Sequence, residues 1–450
     1  MKQTSFVVDP IIDQNVACVH ERYPEHHQSQ ATHRQQVADT LIHSLTARIR
    51  TFDSFRVHDF RWLWASALTS FMAMNMEWIT RGWLVLRVAN DSPLALALVM
   101  ASFALPMTFV SLIGGALADR IPRKRLIVFA QGGNAAIILV IGILDMTNTI
   151  TFWHILVSGT INGSMMAFNM PSRQAIVSEI VPESKLMSSI ALVNSAMNMT
   201  RIIGPAIAGF LIIFIGTHGV LFMIATIYGL ALLCTLPINA GRKPSSISDK
   251  SLTGDIGAGL KYAAQTPPLL GLIIMAFIPV LFGMSYFTLM PAWARETLNV
   301  QSDNLGILYM AGGIGALIGS LVVASLGEFK RRGMVQLVSS VVWGIGLAAF
   351  SHTSNYMILL PLLVLVGLVG SMFMSLNMTL MQLYSSNEMR GRVMSIAMMT
   401  FGAMPLSAIP FGAIADLWIG TADALLLSGG LLVLFTIAFG LLYPSFRRIE

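Results

Sequence analysis

The chain has 450 residues, of which 55% are hydrophobic and 11% charged, and a formal net charge of +6. A soluble globular chain carries roughly 25% charged residues, so a polytopic membrane protein is the simplest class that fits. A disordered chain needs the opposite balance, and the two cysteines, Cys18 and Cys234, exclude a disulfide scaffold.

Residues 1–58 are polar and hold six of the nine His, among them His26, His27 and His33. Their spacing matches no compact metal site, and no apolar stretch follows a basic one as in a cleavable signal. This segment is expected to be a cytoplasmic tail. Arg56-Val-His-Asp-Phe-Arg-Trp-Leu-Trp64 then mixes basic and aromatic residues just ahead of the first apolar run, which is how a helix is anchored at a membrane interface.

From Trp62 onward, long apolar runs repeat at 62–86, 94–117, 126–146, 151–175, 186–214, 219–238, 269–294, 304–326, 334–351, 355–384, 391–415 and 422–443. Each is about long enough to cross ~30 Å of hydrocarbon as a helix and too long for a barrel strand. The expected fold is an all-α membrane protein of 12 transmembrane helices. Basic residues fix its orientation. The connections between even and following odd spans, with Arg447 and Arg448 after the last, hold sixteen Lys and Arg; the other side holds Arg87 and Arg295 alone. The seven Lys and Arg before residue 62 join the richer side. Both termini are therefore expected in the cytoplasm. Orientation explains the positive charge, so no nucleic-acid partner is needed, and contact with anionic lipid is expected.

The chain repeats itself. Asn169-Met-Pro-Ser-Arg-Gln174 aligns with Asn377-Met-Thr-Leu-Met-Gln382 at an offset of 208. Lys185-Leu-Met-Ser188 aligns with Arg392-Val-Met-Ser395, and Arg123-Lys-Arg125 with Lys330-Arg-Arg332, both at 207. This predicts two parallel six-helix halves, 59–238 and 269–444, a cytoplasmic linker at 239–268 and a short cytoplasmic end at 445–450. Two such halves suggest alternating access around a site between them.

Gly115-Ala-Leu-Ala-Asp-Arg-Ile-Pro-Arg-Lys124 lies in the first even-to-odd connection and resembles the loop 2–3 signature of the major facilitator superfamily. Pro122 departs from the pattern, where a second Gly is usual. The resemblance implies the major facilitator fold and a cytoplasmic gate built on Gly115, Asp119, Arg120, Arg123 and Lys124. Arg173, near the inner end of the fourth span, is expected to join that gate by pairing with Asp119 or Glu179. Trp83-Leu-Val-Leu86, Asn90-Asp-Ser-Pro93, Pro171-Ser-Arg-Gln174, Val181-Pro-Glu183 and Arg201-Ile-Ile-Gly-Pro-Ala206 are similar to the siderophore-exporting, transmembrane secretion effector branch of that superfamily, most densely over 59–240. That likeness implies export of siderophores, drugs or similar amphiphiles across a bacterial inner membrane. Gly204, Pro205 and Gly209 resemble the antiporter motif of the fifth span, where Pro removes a backbone donor and Gly allows close packing. Many antiporters of the superfamily carry an Arg in the fourth span, four residues before a Gly; here Gly159 stands at that position, before Gly163.

Few of the charged residues fall inside spans. Each costs about 2.5–3.5 kcal/mol at a helix centre on insertion scales, so a paired or functional role is the default. Glu77 and Arg81 are four apart on one helix face. They read either as a local ion pair or as a proton-coupling site in which the charge of Glu77 changes with state. Arg201, midway along its span, reads as a third coupling candidate: an anion contact, a counter-ion to Glu77, or a group held by backbone carbonyls. Asn75, Asn162, Asn169, Asn194, Asn198 and Asn377 are candidates to line a cavity, or else interhelical hydrogen-bonding groups. Trp78, Trp83 and Trp293 read as interface anchors.

Gly313-Ile-Gly-Ala-Leu-Ile-Gly319 has the wrong spacing for a dinucleotide loop and reads as helix packing at Gly315 and Gly319. No phosphate-binding loop, nucleophile elbow, His-Glu-x-x-His or Cys-x-x-Cys occurs, so neither an enzyme nor an ATP-driven motor is expected, and no cofactor or metal. The sequence reads as a secondary active transporter, monomeric, most simply a proton-coupled exporter of a small amphiphile. An importer of the same fold, or a non-coupled lipid or peptide translocator, is the alternative.

Overall fold

The computed structural model describes residues 52–118, 121–239, 261–298, 302–325, 331–386 and 402–449, together with Met389, 393–394, Ile396 and Thr400. The tail before residue 52, Asp119 and Arg120 of the gate motif, most of the linker and the basic residues Lys330, Arg390 and Arg392 lie outside the described residues.

Among the described residues the protein is helix and turn, without a strand. After a short 3-10 turn at Phe52–Arg56 come α1 (His58–Val88), α2 (Pro93–Ala118), α3 (Arg123–Met146) and α4 (Phe152–Ile180). Glu183–Thr235 turns a corner at Gly216, whose φ of 67° and ψ of 175° suit a residue without a Cβ. It therefore forms α5 (183–215) and α6 (217–235). Next are α7 (Pro267–Phe282), α8 (Ser285–Leu298), α9 (Ser302–Ser325), α10 (Arg332–Ser351), α11 (Tyr356–Leu383) and α12 (Met404–Ile414). A π turn at Ala415–Ile419 leads through Gly420, with φ 78° and ψ 167°, into α13 (Gly420–Leu442).

Eight described segments are long and apolar enough to cross a membrane. Two of them, Glu183–Thr235 and Met404–Leu442, contain the corners at Gly216 and Gly420. Helices α1 and α4 are as long as the others but carry Glu77, Arg81, His154 and Arg173, and they fall short on apolarity. Length and hydropathy alone thus account for eight segments rather than the twelve expected.

Helices α1–α6 pack mainly on one another and α7–α13 likewise. The two groups meet where α5 crosses α9 and α2 crosses α12. Glycine sets the closest approaches. A Cβ on Gly163 would collide with the Phe103 carbonyl of α2, and one on Gly159 with Ser102. In the second group, a Cβ on Gly315 or Gly319 would collide with the Val364 or Leu368 carbonyl of α11, and one on Gly367 with that of Gly312. Gly159 and Gly367 are 208 apart, so the repeat extends to the places where helices touch.

The breaks inside spans have local causes. Pro279 supplies no N–H to the helix, and the chain re-forms its bonds with Gly283 and Met284 both donating to the Pro279 carbonyl (2.7 and 2.9 Å). Ser428 of α13 donates to the Phe282 carbonyl left at this break and lies 2.7 Å from the Ser285 hydroxyl. That is how a broken helix is satisfied away from water. The short turns Phe52–Arg56 and Pro444–Arg448 dock on the bundle at the end that bears the linker. Ser54 bonds Ser188 and Ser189 of α5 (2.8 and 3.0 Å), although it lies within the segment expected as tail. Phe446 is fully buried, and Gly333 donates to the Ile449 carbonyl (3.1 Å).

Candidate functional site

Fifteen residues into α1 from Trp62, a carboxylate enters an apolar wall. Glu77 is 3% exposed. Its Oε1 pairs with Arg81 one turn on, and its Oε2 accepts from Asn162 Nδ2 of α4 and from the Tyr228 hydroxyl of α6, each at 3.2 Å. Asn162 also donates to Asn134 Oδ1 of α3 (3.3 Å). The carboxylate is thus held by groups from α1, α4 and α6, and the charge that burial disfavours is matched by a guanidinium and two neutral donors.

Glu77 and Arg81 line a partly open cavity between the two helix groups, with about 540 Å³ of empty space when its solvent-open mouth is included. From the first group come Met74, Trp78, Gly82, Val85, Leu96, Val99, Met100, Phe103 and Asn162; from the second come Phe287, Thr288 and Pro291 of α8 and Tyr309 of α9. The wall is aromatic: Trp78 meets Phe103 and Phe287 edge-on at 5.5 and 5.9 Å, and Phe287 meets Tyr309 at 5.1 Å. The polar groups set in this wall include a carboxylate, a guanidinium, an amide and the Thr288 hydroxyl.

The other expected residues are distributed as follows. Arg201 is exposed, makes no ion pair among the described residues and is not among the partners of Glu77. Gly204 lies where a Cβ would meet Asn75 Cβ at 2.8 Å, and the Pro205 carbonyl faces Gly306 of α9, 2.8 Å from where its Cβ would be. Pro205 leaves the Arg201 carbonyl without its helical donor, and that carbonyl faces Gly313. Gly209 is buried in the same helix. Of the six Asn, Asn162 lies on the large cavity and Asn169 on a smaller one. Asn75 and Asn377 line neither, because their amides tie helices: Asn75 to the Phe71 carbonyl (2.8 Å) and Thr200 (3.4 Å), Asn377 to the Leu272 carbonyl (3.1 Å). Asn194 and Asn198 lie on the exposed face of α5.

In the gate region Gly115 lies near the end of α2. Arg123 pairs with Glu179 (2.6 Å) and donates to the Ala175 carbonyl (2.9 Å), while Lys124 donates to the Leu236 carbonyl (2.6 Å). Glu179 is thereby taken by Arg123 and not by Arg173, which is 2% exposed inside the first helix group. Trp78 and Trp293 do not lie at an interface but inside the bundle. Trp78 lines the cavity, Trp293 is fully buried with its indole N–H on the Ser351 carbonyl (2.6 Å), and Trp83 lies under Arg295 at 5.3 Å. Sequence reading, attentive to charges, missed Tyr228 and the α8–α9 side of the cavity. Tyr228 carried a usable signal, a phenol in the middle of an apolar span. Phe287 and Tyr309 carried none.

The model of one protein family, the transmembrane secretion effectors, matches residues 49–446. The chain belongs to this family. It is a membrane transporter of the major facilitator superfamily and not an enzyme. The transporter is 26% identical over 357 residues to the staphyloferrin A transporter of Staphylococcus aureus, covering 78% of this chain and 88% of that one. It is 24% identical over 396 residues to the multidrug efflux pump Tap of Mycolicibacterium fortuitum, covering 86% and 95%. Among solved structures, the nucleoside transporter NupG superposes with a TM-score of 0.74 at 12% identity, over 86% of this chain and 100% of that one. A bacterial homologue of the lysosomal transporter Spinster, inward-facing and occupied, gives 0.70 at 13% identity over 88% and 97%. These likenesses carry the fold.

Proposed function

We propose that this transporter is a proton-coupled exporter that moves a small amphiphile, siderophore-like or drug-like, out across the bacterial cytoplasmic membrane by alternating access. The observation that carries the reading is the cavity between the two helix groups, with its aromatic wall and the buried Glu77–Arg81 pair as its charged feature. Twelve crossings in two halves, 59–238 and 269–444, follow if α1 and α4 span, α7 and α8 form one span, and the corners at Gly216 and Gly420 separate two spans each. The basic residues then put both termini, the gate motif and the linker in the cytoplasm. Relatives named for siderophore transport, multidrug efflux and macrolide efflux support an amphiphilic cargo and outward movement.

Glu77 is the proton site of this scheme. Its partners come from three helices, so a shift of one helix alters how well its charge is compensated, which is what links protonation to conformation. Gly159 has no room for the Arg that many antiporters carry there, because α2 closes on it. Arg81 provides the cation instead, from α1. In inverted membrane vesicles offered a fluorescent cationic drug, a macrolide and a carboxylate siderophore, an inward-acid gradient should drive accumulation of at least one. Glu77→Gln should abolish that accumulation while leaving binding measurable. Gradient-driven uptake undiminished in Glu77→Gln would remove Glu77 from the mechanism, and an alkali-cation requirement without a proton requirement would replace the coupling ion.

A further inference from the structure

Among the described residues, the buried charges of the first helix group do not balance. Glu77 is matched by Arg81, and Asp145 by Arg87 and Thr217. Arg173 of α4 has no acidic partner among the described residues, although only 2% of it is exposed. One terminal nitrogen lies 3.5 Å from the Ser66 hydroxyl, which is already engaged with Gln131 and Thr235. The guanidinium lies over the Phe71 ring at 5.6 Å, and its second terminal nitrogen has no hydrogen-bond partner. Asn169, one turn earlier on the same face, has its amide oxygen unpartnered, and a flip of the amide would place its NH₂ there instead. Both residues line a second, smaller and partly open cavity with room for about one water-sized particle, whose wall also includes Ser70, Asn134, Met170 and Tyr228.

A water molecule in this cavity would satisfy hydrogen bonds and leave the charge uncompensated, whereas a buried cation persists when it is paired. We propose that the Arg173 cavity is a binding site for a small inorganic anion of chloride size. The anion accepts from the free guanidinium nitrogen, from the Asn169 amide turned to present its NH₂, and from the Ser70 hydroxyl, while the rim of Phe71, Met166 and Met170 keeps water out. Glu77 does not line this cavity, and Asn134 and Tyr228 stand between the two anions. The cargo of the large cavity is a different ligand, so this site does not depend on which molecule is exported or in which direction.

The test uses the full-length protein in detergent, with chloride as the probe. Sodium chloride replaces sodium gluconate at constant ionic strength while the unfolding midpoint is followed. The midpoint should rise saturably by several degrees, and bromide should substitute for chloride. Arg173→Gln should lose the response. Asn169→Asp, which supplies a tethered carboxylate beside the guanidinium, should also lose it while raising the midpoint in gluconate. The second variant stands on its own if the first fails to fold. Equal midpoints in chloride and gluconate for the unmodified protein, or a chloride response that survives in Asn169→Asp, would overturn the site.

Discussion

At the scale of single residues, the strongest constraint on this transporter is that a charge inside it needs an answer. Glu77 and Arg81 answer each other, with 4% and 13% of their side chains exposed. Removing one member of such a pair leaves the other buried and uncompensated, at a cost of about 3–5 kcal/mol, while removing both is far milder. Arg81→Gln should therefore lower the unfolding midpoint in detergent strongly, and Glu77→Gln with Arg81→Gln together should recover most of the loss. A double variant as unstable as the sum of its singles would mean the pair is not coupled. Both residues were legible in the sequence, because a charge in an apolar run is conspicuous. Their partners were less so. Asn162 was one of six candidates of equal standing, and only the fold separates it from Asn75 and Asn377, whose amides are spent on helix packing. Arg173 was legible as a buried charge but not in its surroundings: of its two expected partners, Glu179 belongs to Arg123 and Asp119 lies outside the described residues.

At the scale of elements, the hydropathy pattern located nearly all the long helices. The apolar runs part at 214 and 219, on either side of the corner at Gly216, although the residues on both sides are apolar and helical. The apolar runs still mark α1 and α4 as spans, at 62–86 and 151–175, although polar residues facing cavities keep their mean hydropathy low. The glycine corners are a repeat landmark that residue spacing did not bring out: Ile215-Gly-Thr217 and Ile419-Gly-Thr421 end matching helices. Their φ of 67° and 78° with extended ψ belongs to a region nearly closed to residues with a Cβ, worth about 1–3 kcal/mol of strain each. Gly216→Ala and Gly420→Ala should each lower the unfolding midpoint. Gly229→Ala, where nothing lies within 4 Å of a new Cβ, should leave it unchanged or raise it slightly. The helix crossings make a second comparison. Gly163→Val and Gly367→Val drive side chains into backbone carbonyls that cannot move away, and overpacking of this kind costs about 1–3 kcal/mol. Both should reduce the yield of monodisperse protein. Equal yields would mean that α2 and α4, or α9 and α11, have freedom to part.

At the scale of the whole molecule, the two helix groups are tied together at the end opposite the linker. Asp91, in the turn between α1 and α2, pairs with Arg295 of α8 at 2.8 Å, and Arg295 also covers the Trp83 ring. Ser92 donates to Asp416 in the π turn before α13 (3.0 Å), and Gly412 of α12 fits against Ala97 and the Pro93 carbonyl of α2. A transporter that rocks its halves must break these links to open at that end. They are suited to it. Arg295 and Asp91 are 37% and 51% exposed, and exposed ion pairs contribute about 0.2–1 kcal/mol, which holds a closed state without locking it. Arg295→Gln should therefore shift the balance toward opening at this end by about 1.4- to fivefold, the population change that such an energy represents. The shift can be read as a rate. With Cys18 and Cys234 replaced, a cysteine introduced at Thr288 in the cavity wall reports access from the Asp91 side through its labelling by a membrane-impermeant maleimide. Labelling should accelerate by the same factor in Arg295→Gln. Asp91→Asn should match it, and combining the two should add little, because both remove one link. A rate unchanged by either substitution would mean that the glycine contacts of α2 with α12, and not the polar latch, hold this end closed.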